Sequence, residues 1–239
     1  MNANHLSARL DQVAQLIGQY APQPIRLADI GSDHAYLPCH LALTEKIEYA
    51  VAGEVVEGPY QSALAEVSSH GLTSQIKVRK ANGLAAIELE DDINAISICG
   101  MGGGLICTIL EEGQAKLVKR PHLILQPNIG EHLVREWLMT HSYRIIAEEL
   151  IEDHGRLYEI IVAEPCDAIV PLTPVELLMG PMLLQRQGTL FKQKWQREYD
   201  NYQRIAAQIT QAAATNQKKL VEVWSRIAMI QTILQQESE

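Results

Sequence analysis

The sequence predicts an α/β protein: a doubly wound, mostly parallel sheet closed by an antiparallel pair of strands, followed by a C-terminal helical hairpin. Three observations carry this. Over residues 1–165, short apolar runs of strand type alternate with segments of helical period. The last two runs, "YRIIAEELIE" and "LYEIIVAE", are separated only by Asp153, His154, Gly155 and Arg156, which reads as a β-hairpin. Beyond residue 190, apolar residues recur in steps of four and three on two successive segments.

The elements follow in order. An amphipathic helix (Leu6, Leu10, Val13, Leu16, Ile17) precedes the strand "IRLADIG", and a helix begins near Tyr36. The strand "EYAVAGEV" leads into "EGPYQSALAEV", a helix with Pro59 suited to its first turn and Gly71 to its C-terminal cap. Then come "QIKVRKANG", "INAISICG", a Gly-led helix, "HLILQPN" and the helix "EHLVREWLMTH". Strands spaced by helices imply parallel pairing with right-handed crossovers. Pro165, Pro171 and Pro174 mark a linker over 166–174. In 175–239, Trp195, Tyr199, Tyr202, Ala206, Ile209 and Ala213 form one seam, and Leu220, Val223, Ile227, Ile230 and Leu234 the other, joined near Thr215-Asn216. An antiparallel hairpin is expected; a dimerising coiled coil fits the same pattern.

A chain of 239 residues suffices for one substantial domain and an appendage. It contains no run of about 18 apolar residues, so no membrane span is expected. Cys39, Cys99, Cys107 and Cys166 form no CxxC pair, which suits reduced cytoplasmic thiols and indicates neither a zinc site nor a disulfide framework. Cys39 and Cys107 read as helix core positions. The net charge of −9 is unevenly spread: residues 1–174 hold 12 basic and 23 acidic side chains, residues 175–239 hold 8 and 6.

In an open parallel sheet, ligands bind beyond the carboxyl ends of the strands. Every unusual cluster falls there: "DIGSDH", "GEV", "KANG", "CGMGGG" and "QPN". Gly31 permits positive φ and close backbone approach. Asp29 ends the first strand, and Glu54 ends the second, where an acid can hold both hydroxyls of a ribose. Asn82-Gly83 suits an adenine edge or an ordinary turn. "GSDHAY" is not GxGxxG, and "GMGGG" lacks the Lys-Ser/Thr of a phosphate-binding loop. A nucleoside ligand without a cradled phosphate chain remains, and S-adenosylmethionine (SAM) fits. A nicotinamide oxidoreductase is disfavoured.

"ADIGSDHAYLP", "AGE" with "GPYQSA", "ICGMGGGLI", "LILQPN" followed by "REWL", and the Pro-flanked C-terminal hairpin together resemble the bacterial tRNA (adenine-22 N1)-methyltransferases, the TrmK family. The resemblance spans nearly the whole chain. It implies a Rossmann-like class I methyltransferase domain with a helical hairpin. It also implies SAM contacts at Asp29, Gly31, Ser32, His34, Glu54, Asn82, Gly83, Gly100 and Met101. The family pattern has Asp where Asn82 stands; an amide still donates to adenine N1 or accepts from N6.

Asp33 is then expected to face the target base. Methylation of N1 turns a neutral ring into a cation, which a carboxylate stabilises or relieves by drawing the N6 proton. The competing role for Asp33 is capping the helix that follows. Gln126 and Asn128 would hold the base edge. The D/N-P-P-Y tetrapeptide of exocyclic-amine methylation is absent, its place taken by "GMGG". Arg186, Lys192, Lys194 and Arg197, interleaved with Phe191, Trp195, Tyr199 and Tyr202, suit RNA phosphates and unstacked bases. For Trp195 and Tyr202 the hairpin seam is the preferred reading. The expected partner is tRNA, with no metal, no membrane and a monomeric state. The alternatives are a methyltransferase for a small molecule or protein, and a SAM-binding interaction module without catalysis.

Overall fold

A computed structural model describes residues 2–211 and 216–235. It divides into two compact units, Met1–Leu172 and Thr173–Glu239. In the first unit the strands are β1 (Arg26–Ile30), β2 (Tyr49–Glu54), β3 (Ile76–Lys80), β4 (Ala95–Gly102), β5 (His122–Ile129), β6 (Tyr143–Asp153) and β7 (Arg156–Pro165). Their order is β3-β2-β1-β4-β5-β7-β6. The first five are parallel, and the β6–β7 hairpin adds antiparallel to β5. His154 and Gly155 both have positive φ between β6 and β7, the backbone that a two-residue hairpin turn requires.

The helices are α1 (Ala8–Tyr20), α2 (Tyr36–Leu43), α3 (Glu57–Ser69), α4 (Gly103–Glu112) and α5 (Glu131–Thr140). Alternation along each strand splits the core into two layers. Leu27, Ala50, Ala52 and Ile124 pack with Val13, Ile17, Leu37 and Leu41 on one face. Ala28, Val51, Ile96, Ile98, Leu123 and Leu125 pack with Ile106, Leu110, Val134 and Leu138 on the other. Each of the buried Leu, Ile and Val side chains contributes about 1.5–3 kcal/mol relative to its exposed state. Because the parallel strands are covered on both faces, the exposed ends of the ladder are the places left for a ligand.

The second unit opens with two short helices that the periodicity did not indicate, α6 (Pro174–Met179) and α7 (Pro181–Arg186). Thr173 and Glu176 form a reciprocal capping box around Pro174, so a helix starts inside the expected linker. The hairpin helices are α8 (Thr189–Gln211) and α9 (Gln217–Gln235). Tyr199, Tyr202, Ala206 and Ile209 meet Leu220, Val223 and Ile227 along the expected seam. Tyr202 accepts a hydrogen bond from Arg226 at 2.7 Å, which fixes the antiparallel register. The expected seam residue Ala213 and turn residue Thr215 lie outside the described residues.

Candidate functional site

The rim of the sheet carries a cleft of about 310 Å³, lined by Arg9, Leu10, Asp29, Gly31, Ser32, Asp33, Cys99, Gly100, Met101, Asn128 and Tyr158. Its floor is built by register. Asp29 on β1 pairs with Ser97 on β4, whose hydroxyl donates to Oδ1 at 2.6 Å. The Ser32 hydroxyl donates to the other carboxylate oxygen. Asp29 is almost fully buried, and burial raises its pKa despite the two hydroxyls, with Asp33 adding to the rise.

The loop after β1 is held in an uncommon backbone. Gly31, Asp33, His34 and Ala35 all have positive φ. For non-glycine residues this costs about 1–2 kcal/mol each, and such strain gathers at functional sites. The Gly31 and Ser32 amides both donate to Gly53 O, tying the loop to β2. The Asp33 amide donates to Glu54 Oε1 at 2.5 Å. Glu54 is buried, and desolvation raises its pKa, with Asp29 and Asp33 reinforcing the shift against the Asp33 amide. The φ of +70° at Gly31 favours glycine, and a Cβ there would also displace the terminal methyl of Met101.

The structure corrects the capping role considered for Asp33. The N-cap of α2 is Ala35, in left-handed conformation and without a side-chain cap. Asp33 instead points out, 72% exposed, 3.7 Å from His34 Nε2. His34 stacks on Tyr36. The two-pronged ribose contact expected of Glu54 has one oxygen already engaged by the Asp33 amide. Asn82 is exposed just beyond Ala81, whose amide donates to Glu54 O at 2.8 Å, so the ends of β2 and β3 are joined. Gly83, at positive φ, is buried against Ile109.

The two amides expected to hold the base are both engaged at the irregular end of β4, around Gly100. Gln126 is fully buried: Oε1 accepts from Gly100 N at 3.0 Å and from Arg9, while Nε2 donates to Asn128 Oδ1 at 3.1 Å. Asn128 donates to Gly100 O at 2.7 Å and remains exposed at the cleft. Gln126 therefore shapes the Gly100 peptide, which has φ +77°, and offers no free edge to a base. Sequence reasoning missed Arg9, Leu10, Cys99 and Tyr158. An arginine on an amphipathic helix reads as a solvated face, and a tyrosine on an edge hairpin as packing.

In the second unit, Lys194 is buried, with only 9% exposure, its ammonium 5.5 Å from the Trp195 ring, which removes it from an RNA-facing set. Arg186, Lys192 and Arg197 are exposed. Phe191 and Trp195 are buried, and Tyr199 and Tyr202 are partly buried in the seam, so these aromatics serve the packing of the second unit. Trp224, on α9, is about half exposed. Among the described residues, no helix is long and apolar enough to cross a membrane, and no group of three or more His, Cys, Asp or Glu is arranged to hold a metal ion.

Residues 27–232 match the family described as tRNA (adenine(22)-N(1))-methyltransferase. The chain is 42% identical to the Bacillus subtilis tRNA (adenine(22)-N(1))-methyltransferase, over 98% of this chain and 99% of that one. Among solved structures, it is similar to Streptococcus pneumoniae Sp1610, a putative tRNA (m1A22) methyltransferase in complex with S-adenosyl-L-methionine: TM-score 0.85, 41% identity, covering 96% of this chain and 100% of that one. It is similar also to Mycoplasma capricolum TrmK in complex with S-adenosyl-homocysteine: TM-score 0.82, 29% identity, covering 96% and 98%.

Proposed function

The chain belongs to the tRNA (adenine(22)-N(1))-methyltransferase family, and from that premise we propose how its own residues divide the work. It is a SAM-dependent enzyme that methylates N1 of adenine 22 in tRNA. One observation carries the assignment of the cleft: its buried acids are held by hydroxyls and a backbone amide, not by a cation. Such a site fits a cationic ligand. SAM, when bound, supplies the methyl group. Asp29, Gly31, Ser32, Gly100 and Met101 line its end of the cleft, with Glu54, His34, Asn82 and Gly83 beside them at the ends of β1, β2 and β3.

Adenine N1 carries its own lone pair, so no covalent nucleophile is required. When N1 gains the methyl group the ring becomes cationic. The exposed Asp33 carboxylate stabilises that charge or accepts the N6 proton, leaving a neutral base. Asn128 faces the base from the opposite rim, and Gln126 is a positioning residue behind it. The exposed Arg186, Lys192 and Arg197 hold tRNA phosphates. With a tRNA substrate, the cytoplasm is the place of action, and the protein works as a monomer.

The experiment is methyl transfer from labelled SAM to tRNA by the wild type and by Asp33→Asn. Asn tolerates left-handed backbone, so the loop should persist. SAM affinity should hold while kcat falls about 10²–10⁴-fold. A fully active Asp33→Asn enzyme would remove Asp33 from the chemistry.

A further inference from the structure

Arg9 stands out among the cleft residues that the reaction described above leaves unused. Among the described residues it is the only lysine or arginine lining the cleft. It arrives from α1, outside the strand ends that carry the other site residues. Three contacts hold it: Nη1 donates to the buried Gln126 Oε1, the guanidinium carbon lies 5.2 Å from the Tyr158 ring centroid, and Nε is 4.0 Å from Asp153 Oδ2. The Tyr158 ring and one amide bond restrain the fork. The Asp153 separation is too long for a hydrogen bond. Nη2 has no protein partner among the described residues, and the side chain is 22% exposed.

A guanidinium restrained in this way, with an unspent edge opening into an otherwise acidic cleft, is built to receive an oxyanion. The reading of the protein as a tRNA methyltransferase, on which this inference rests, requires a nucleotide to leave its stack and enter that cleft. Its phosphate then passes Asp29 and Asp33, which repel it. We propose that Arg9 is the phosphate-receiving residue for the target nucleotide, with Tyr158 as the platform that orients its guanidinium. The loose contact to Asp153 is what the incoming phosphate replaces. Arg9 thereby sets how deeply the nucleotide enters, leaving the chemistry to Asp33.

The test uses the full chain and three readouts: SAM affinity by calorimetry, tRNA binding across a salt series, and steady-state methylation. Arg9→Gln should keep SAM affinity and kcat and raise KM for tRNA roughly 10- to 150-fold. It should lower the salt slope of tRNA binding by about 0.7–0.9, the share of one lost phosphate contact. Arg9→Lys should restore the slope and part of KM, because it keeps the charge and loses the fork. An unchanged slope and KM with a lowered kcat would overturn the proposal, since Arg9 would then act only through Gln126. A loss of SAM affinity would overturn it too, by placing Arg9 in the cofactor shell. The binding slope is read without turnover, so a wild type that binds but does not methylate tRNA tells against the activity and leaves the Arg9 result to be judged on binding.

Discussion

The first unit buries two acid clusters, and they are built on opposite principles. In one, Arg135 on α5 donates from Nε to Glu148 Oε1 on β6 at 2.7 Å and from Nη2 to Glu159 on β7, and all three side chains are fully buried. There the protein supplies its own counter-charge, and the cluster fastens a helix to the closing hairpin. In the other, buried Asp29 and Glu54 have only serine hydroxyls and a backbone amide for partners, exposed Asp33 lies beside them 3.7 Å from His34, and burial raises the pKa of Asp29 and of Glu54. A cluster paired with its own guanidinium is architecture. An un-neutralised one is waiting for a ligand's charge, and its cost to the empty protein is recovered on binding.

The sharpest way to break this contrast is to remove one charge from each cluster. Arg135→Met leaves two buried carboxylates without their guanidinium, and breaking a buried pair costs about 3–5 kcal/mol. For a unit of this size that is a fall of about 6–20 °C in Tm. Asp29→Asn should act with the opposite sign. Because burial raises the Asp29 pKa in the folded state, its ionisation costs the folded protein stability relative to the unfolded chain, so a neutral isostere should hold or raise Tm while SAM binding is lost. Thermal melts of both variants with and without SAM decide it. Equal losses would mean that both clusters are structural.

How much of this was legible in the sequence follows from what each cluster depends on. Strand order and the gathering of glycines and acids at one rim follow from periodicity and from where a parallel sheet leaves backbone open, so Asp29, Gly31, Glu54 and Gly100 were readable. The Arg135 triad was not, since its members lie on three elements whose pairing depends on the β6–β7 register. Arg9 meets Gln126 across 117 positions, which no local pattern encodes. Gln126 resembles a base-binding amide until the structure shows it spent on Gly100. Asp33 resembled a cap because three successive non-glycine residues in left-handed backbone run against propensity. The capping box at Thr173 was readable and was passed over.

Glu54 sharpens the comparison at lower amplitude. Glu54→Gln keeps an oxygen for the Asp33 amide and removes the charge, so the loop should survive. The loss of hydrogen bonds to an ionised group, about 1.5–3 kcal/mol, should weaken SAM roughly 10- to 150-fold. Titration calorimetry showing wild-type affinity would take Glu54 out of the cofactor site.

The smallest effect is the most direct reading of an un-neutralised cluster. If SAM's positive charge is met by Asp29 and Glu54 in their ionised forms, binding must drive off whatever protons they hold. Both pKa values are raised from the ordinary carboxylate value, by burial above all, with hydrogen bonds opposing the shift and the neighbouring acids adding to it. The free protein therefore begins to take up protons on acidification before ordinary carboxylates do, and SAM then releases them. The sign follows: affinity is full above the raised pKa values and falls as pH drops through them, by at most about tenfold per pH unit for each linked proton. The same linkage makes the stabilisation by SAM larger at neutral than at acid pH, whereas the Arg135 cluster, already paired, should add nothing to it. Calorimetry in two buffers of different ionisation enthalpy counts the released protons directly. An affinity that stays flat down to the ordinary carboxylate range would show that the cleft acids are not what SAM's charge meets.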